Sequence, residues 1–283
     1  MGRDAEVFSH GVAVITGAGA GIGAGLARRV GALGMTVVVA DVDLNRAEAI
    51  AGEIRAAGGL ADPIRVDVSR AEELDRLAET VHARHGDVRL LVNNAGIETI
   101  GYSWEIPAER WDATLDINIH GVVHGVRAFA PRMLASGQEA WIANLASMGA
   151  FSVMPCQTAY IMTKHAVQAF SECLYLEMQL KGAPIHVCSI MPGMLKTSIF
   201  EASAGAGEPP AAATHRRRMF EMMRDYGMDL AEGCQRIMEQ VAEGRFWVHT
   251  QPDMTMSAIE SRIAFFNSQQ PPVMNEAVRE LVD

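Results

Sequence analysis

The chain has 283 residues, 49% of them hydrophobic, so it can bury a sizeable core, and its formal net charge of −10 argues against binding a nucleic-acid backbone. No apolar run approaches the ~20 residues of a membrane-spanning helix, which excludes a membrane partner. Four cysteines lie far apart without a C-x-x-C pair, and nine histidines show no ligand spacing beside them, which predicts a reducing, cytoplasmic setting without bound metal. The first eleven residues hold no cationic segment followed by an apolar stretch, so no targeting signal is expected. The cluster Arg216-Arg217-Arg218 has Glu221 and Asp225 close by and reads as a solvated helix face.

Strand-like and helix-like segments alternate from the start. Gly11–Thr16 reads as a strand, followed by a glycine turn and a helix over Gly21–Leu33. Strand Thr36–Ala40 leads to a helix over Leu44–Ala57, a strand over Ile64–Val68 and a helix over Ala71–His85. The apolar strand Val88–Val92 precedes a long helix over Ala108–Leu134. Strand Ala140–Leu145, a helix over Thr158–Leu180 and strand Ile185–Ile190 continue the rhythm. Continuous Val, Ile and Leu runs mark strands buried on both faces, as in a parallel sheet covered by helices on either side. The pattern predicts an α/β fold with a doubly wound, Rossmann-like parallel sheet, in one domain over 1–283 with its core at about 10–250.

The segment at about 194–227 breaks the alternation. It holds the Ala/Gly/Pro-rich run Ala202–Ala213 and then a helical, Met-rich stretch, and reads as a mobile lid. Asp229–Glu243 reads as a helix and Arg245–His249 as a last strand. In the tail, at about 251–283, Ser257–Phe266 has helical spacing until Pro271-Pro272 ends it.

Thr16-Gly17-Ala18-Gly19-Ala20-Gly21-Ile22-Gly23 lies between a strand and a helix, where Gly17, Gly19, Gly21 and Gly23 let the backbone turn sharply and approach a pyrophosphate at the helix N-terminus. An acidic residue, Asp41, ends the next strand. Its carboxylate suits the adenosine ribose hydroxyls, whereas a 2′-phosphate would bring like charges together. At ~4 Å and an effective dielectric near 20 that repulsion reaches roughly 4 kcal/mol. NAD is therefore the expected cofactor rather than NADP. Arg46 either reaches over this site or is an exposed residue of the following helix.

In Tyr160-Ile161-Met162-Thr163-Lys164 the Tyr and Lys lie four apart and share a helix face. A Lys ammonium set beneath the Tyr hydroxyl favours the phenolate over the phenol, whose ordinary pKa is about 10. That arrangement predicts a general base.

Taken in order, these segments resemble the short-chain dehydrogenase/reductase superfamily over about residues 10–250. Asn93-Asn94-Ala95-Gly96 after the fourth strand, Asn118, Ser147, Tyr160 with Lys164, and Pro192-Gly193 followed by Thr197 complete the resemblance. The ending Gly21-Ile22-Gly23 is similar to the shorter oxidoreductase branch rather than the extended epimerase branch. The resemblance implies that Ile22 belongs to the cofactor turn, that Asp67 and Val68 meet the adenine, that Asn94, Ala95 and Gly96 line the adenosine side, and that Pro192, Gly193 and Thr197 hold the nicotinamide end. One departure is Ala146, which stands before Ser147 where a second Ser is frequent.

The activity implied is interconversion of a secondary alcohol and a ketone. Tyr160 takes the hydroxyl proton, Ser147 donates a hydrogen bond to the substrate oxygen, Lys164 lowers the Tyr160 pKa and binds the nicotinamide ribose, and Asn118 holds a water relay. Met148, Met154, Cys156, Met194 and Phe200, with Ser147 and Tyr160, are the candidate substrate contacts. Their composition is compatible with a bulky aryl or alicyclic alcohol, although for any one Met ordinary core packing is the favoured reading. The lid and tail are similar to those of bacterial dehydrogenases acting on benzylic alcohols of lignin-derived aryl ethers. Two alternatives stay open: an NADP-dependent ketone reductase and a non-catalytic dinucleotide-binding scaffold. The resemblance also implies a homotetramer, or a homodimer, built through the long helices and the last strand.

Overall fold

The computed structural model describes residues 2–200, 210–274, 276 and 279–280. Seven parallel strands form one sheet in the order β3-β2-β1-β4-β5-β6-β7: β1 Val12–Thr16, β2 Thr36–Asp41, β3 Leu60–Arg65, β4 Val88–Asn93, β5 Ala140–Leu145, β6 Ile185–Met191 and β7 Trp247–His249. The chain runs outward from β1 to β3, returns to pair β4 beside β1, and then runs outward the other way. This reversal makes a crevice at the carboxyl ends of β1 and β4, where ligands of such sheets bind.

Side-chain alternation divides the core between the two faces of the sheet. Ala13, Ile15, Val37 and Val39 point to the face covered by α2 (Gly21–Leu33), α3 (Leu44–Ala56) and α9 (Leu230–Ala242). Val12, Val14, Val38 and Ala40 point to the face covered by α4 (Ala71–His85), α6 (Gly121–Ser136) and α7 (Thr158–Lys181). Burying each such Val or Ile contributes about 1.5–3 kcal/mol, which is why the strands read as unbroken apolar runs. A short helix, α1 (Arg3–Val7), escapes the sequence reading. It docks through the buried Asp4, which pairs with Arg29 of α2 at 2.5 Å.

Two elements differ from expectation. β3 covers Leu60–Arg65 instead of Ile64–Val68. It pairs only with β2 and lies at the sheet edge, where Pro63 is tolerated and the ladder ends at Asp41 opposite Arg65. The long helix expected over 108–134 is α5 (Ala108–Leu115) and α6 joined by a π-helical turn, Asp116–His120, with the buried Asn118 at its centre. In the lid region the helix α8 runs over Pro210–Tyr226. The two ends of this region are tied together, with the Met228 N–H donating to the Met194 carbonyl at 3.0 Å and the Lys196 N–H to the Met228 carbonyl at 3.0 Å. The Ala/Gly/Pro-rich run up to residue 209 lies outside the described residues. In the tail, α10 covers Pro252–Ser268. Among the described residues no helix is long and apolar enough to cross a membrane.

Candidate active site

A cavity of about 800 Å³ opens at the crevice between β1 and β4, a size suited to a cofactor or drug-sized ligand. Gly17, Gly21 and Ile22 form one wall, Asp41, Asp67 and Val68 another, and Asn94, Ala95 and Gly96 the floor between them. Tyr160, Lys164, Pro192 and Thr197 close the opposite side. Thirteen sequence-predicted cofactor residues thus share one cavity. Gly19, Gly23 and Gly193 are not among its lining residues; Gly19 holds Asp41 through its N–H, Gly23 packs on the Gly17 carbonyl, and the Gly193 N–H donates to Thr250 Oγ1 at 3.0 Å.

The glycine turn is shaped for close approach. Gly17 has φ +63°, and a Cβ there would sit 2.7 Å from the Ala95 Cα. At the start of α2, Ala20 offers no side-chain acceptor, so the first amide N–H groups of the helix are left for another partner. The α3 and α9 helices are capped by Asp43 and Asp229 instead. Uncapped N–H groups beside a cavity are the donor set that an anionic pyrophosphate requires. Asp41 is fixed at the rim, its Oδ2 accepting from the Gly19 N–H at 2.8 Å and its Oδ1 from the Asp43 N–H at 3.0 Å. Arg46 lines the same rim and pairs with Asp43 at 3.3 Å. These residues fit a dinucleotide.

Ser147, Tyr160 and Lys164 meet between the ends of β5 and α7. Ser147 Oγ accepts from the Gly149 N–H at 3.0 Å, and Ser147 lies close enough to Tyr160 to favour its phenolate. The Lys164 ammonium differs from the expected placement. It lies 5.4 Å from the Tyr160 ring centroid and donates to the Leu145 carbonyl at 2.7 Å rather than reaching the phenol oxygen. Burial pushes the Tyr160 phenol above its ordinary pKa, nearby Glu98 adds to that shift, and only Ser147 opposes it. Burial brings Lys164 down to about 8, against the attraction of Glu98.

Asn118 is a brace. At the centre of the π-helical turn its side chain donates to the Ile97 carbonyl at 2.9 Å and to Thr163 Oγ1 at 3.1 Å, and accepts from the Ile97 N–H at 2.8 Å. It therefore ties the strand after β4 to the helix that carries Tyr160 and Lys164.

The predicted substrate contacts divide. Cys156 and Phe200 join an apolar cluster with Ile100 and Met223, with Tyr102 and Phe220 packed against it. Met148, Met154 and Met194 do not belong to it, and the Met194 carbonyl is taken by Gln251 Nε2 at 2.8 Å. The sequence reading passed over Glu98. Only its position five residues after Asn93 hinted at a role, because an acidic residue in a loop is usually solvated.

The description "short chain dehydrogenase" fits a family model matched over residues 11–206. The chain is 36% identical over 234 residues to the probable oxidoreductase EphD of Mycobacterium tuberculosis, covering 81% of this chain but 39% of that protein. It thus spans about two fifths of the length of that relative. It is also 36% identical over 200 residues to the 1-deoxy-11-beta-hydroxypentalenate dehydrogenase of Streptomyces exfoliatus, covering 69% and 72% of the two chains. A short-chain dehydrogenase/reductase from Burkholderia phymatum, solved in complex with NAD, superposes with a TM-score of 0.90 at 32% identity, covering 95% and 98%. A metagenomic short-chain oxidoreductase solved with NADP superposes with a TM-score of 0.62 at 29% identity, covering 77% and 94%. A nicotinamide dinucleotide is the cofactor class common to these structures and to the cavity described above. The chain belongs to the short-chain dehydrogenase/reductase family of oxidoreductases.

Proposed function

We propose that this protein is an NAD-dependent dehydrogenase that interconverts a secondary alcohol and a ketone, on a bulky, largely apolar aryl or alicyclic substrate. The observation that carries the reading is the convergence of Tyr160 and Lys164 on one wall of the dinucleotide-shaped cavity, with Ser147 directly after the lining residues Leu145 and Ala146. A bound nicotinamide supplies the hydride acceptor or donor.

The residues of the chain do the rest. In the oxidative direction Tyr160 removes the hydroxyl proton, and Ser147, held by Gly149, donates a hydrogen bond to the substrate oxygen. Lys164, anchored on Leu145, adds positive charge beside the phenol and stands ready for the nicotinamide ribose. Asn118 holds the Ile97 backbone and Thr163 in register with the helix of Tyr160, which supports a role in positioning and proton relay. Asp41 favours the ribose hydroxyls of NAD, and the hydroxyl-bearing compound in the name of the Streptomyces relative supports an alcohol substrate. Exposed Leu176 and Leu180 on α7 support a homotetramer built through that helix.

An NADP-dependent ketone reductase is the second reading, because Arg46 lines the rim beside Asp41. Screening aryl, steroid and alicyclic alcohols for NADH formation tests both readings. Positioned acid–base groups contribute about 10²–10⁴-fold, so Tyr160→Phe should lose turnover by that factor while NADH binding persists. Substantial turnover by that variant would remove Tyr160 from the mechanism.

A further inference from the structure

The buried acid Glu98 has no task in the reaction proposed above. It directly follows Ile97 and is only 5% exposed, and its Oε1 is fully buried without a hydrogen-bond partner. Leaving a buried acceptor unsatisfied is costly, so such a group is retained for a reason.

The backbone is nonetheless clamped around it. Asn118 binds both the N–H and the carbonyl of Ile97, Arg110 Nη2 donates to the Glu98 carbonyl at 2.8 Å, and the Thr99 and Thr114 hydroxyls pair at 2.7 Å. On the facing loop, Cys156 is held at φ +64°, a left-handed conformation rare for a residue with a Cβ. Its carbonyl accepts from the Gly101 N–H at 2.8 Å, which joins the two loops. The turn delivers the buried Gln157, which favours the ionised form of Glu98. Backbone strain of this kind clusters where a site must be held in one geometry.

The loop that carries Glu98 borders the reacting groups, since Ile97 lines the cavity and a Cβ on Gly96 would sit 3.8 Å from the Lys164 ammonium. The same two loops supply Ile100 and Cys156 to the apolar cluster with Phe200. An unpaired polar atom is therefore carried by the loop that runs from the cavity at Ile97 to the apolar cluster at Ile100.

We propose that Glu98, oriented by Gln157, recognises a second oxygen function on the substrate, so that the preferred compound carries a hydroxyl or carbonyl group in addition to the reacting one. The proposal rests on the alcohol–ketone reading and narrows its substrate class. Burial brings Glu98 up to about 8, so near neutral pH the carboxyl offers both a donor and an acceptor. Sites built to pair a substrate hydroxyl reject analogues lacking it far more strongly than apolar pockets reject a missing methylene.

Calorimetric binding of 2-, 3- and 4-hydroxycyclohexanone and of cyclohexanone to the NADH complex of the Tyr160→Phe protein, in which turnover is suppressed, provides the test. At least one hydroxyketone should bind about tenfold or more tightly than cyclohexanone, a difference of about 1.4 kcal/mol. Glu98→Leu should bring that ratio close to one, with NADH affinity as the check on folding. Gln157→Leu should reduce the same ratio and serves if the Glu98 variant does not fold. A Tyr160→Phe complex with Glu98 and Gln157 intact that binds all four ketones equally, or none, overturns the proposal regardless of the further variants. So does a ratio that neither variant changes. The readout is binding, so its failure is separate from that of the alcohol–ketone reading, which would show as no NADH formed from any alcohol.

Discussion

Gly23 has no room for a methyl group. A Cβ there would overlap the Gly17 carbonyl oxygen and the Asn94 side-chain nitrogen, with the Gly17 carbonyl carbon 2.9 Å away. Those atoms are themselves fixed. Asn94 Nδ2 donates to the carbonyls of Thr16 at 2.8 Å and Gly17 at 3.1 Å, and the Asn94 N–H donates to Thr16 Oγ1 at 3.0 Å. Gly23→Ala must therefore push α2 off the turn or break the Asn94 bonds. Overpacking costs about 1–3 kcal/mol and each lost neutral hydrogen bond about 0.5–1.5 kcal/mol, so the total is about 2–5 kcal/mol. If it falls entirely on stability, the midpoint of thermal unfolding drops by about 4–20 °C for a chain of this size. If it falls on the cradle, NADH affinity drops about tenfold for each 1.4 kcal/mol. Thermal scans and NADH fluorescence titration of the variant separate the two. A Gly23→Ala protein that melts within about 1 °C of wild type and binds NADH within about twofold would refute this account of the turn.

Three further outcomes are expected. Because burial and Glu98 raise the Tyr160 pKa, its base form is populated only above that raised value, so kcat/KM for alcohol oxidation should climb with pH through the alkaline range. Carbonyl reduction uses the protonated phenol and should stay level there, and Glu98→Gln should move the rising limb to lower pH; a limb that stays in place argues against the coupling. Asp41→Ala removes the charge that opposes a 2′-phosphate, so the ratio of NAD to NADP efficiency should fall by about tenfold or more, and an unchanged ratio would shift the discrimination to Arg46. Leu180 on α7 is 88% exposed in the isolated chain, and Leu180→Glu should dissociate the proposed homotetramer in sedimentation, whereas a monomeric wild type would end the assembly proposal.

What the sequence determined by itself is local. Strand and helix periods repeat every few residues, so the alternation of β1, α2, β2 and α3 was legible to within a residue or two at each end. The glycine turn and the Tyr160–Lys164 spacing were legible for the same reason, since their geometry follows from one turn and one helix. Tertiary structure decided what depends on partners distant in the chain. Pairing with β2 alone set β3 at Leu60–Arg65 at the sheet edge, a position its weakly apolar residues did not mark. Contacts from Asn118 to Ile97 and Thr163 accompany the π-helical turn inside what reads as one long helix. Lys164 sits on the same helix face as Tyr160, as its spacing required, yet the Leu145 carbonyl from β5 claims its ammonium. Glu98 looks like any loop carboxylate until the loop of Cys156 and Gln157 folds over it, because burial is a property of the packed chain and not of a residue type.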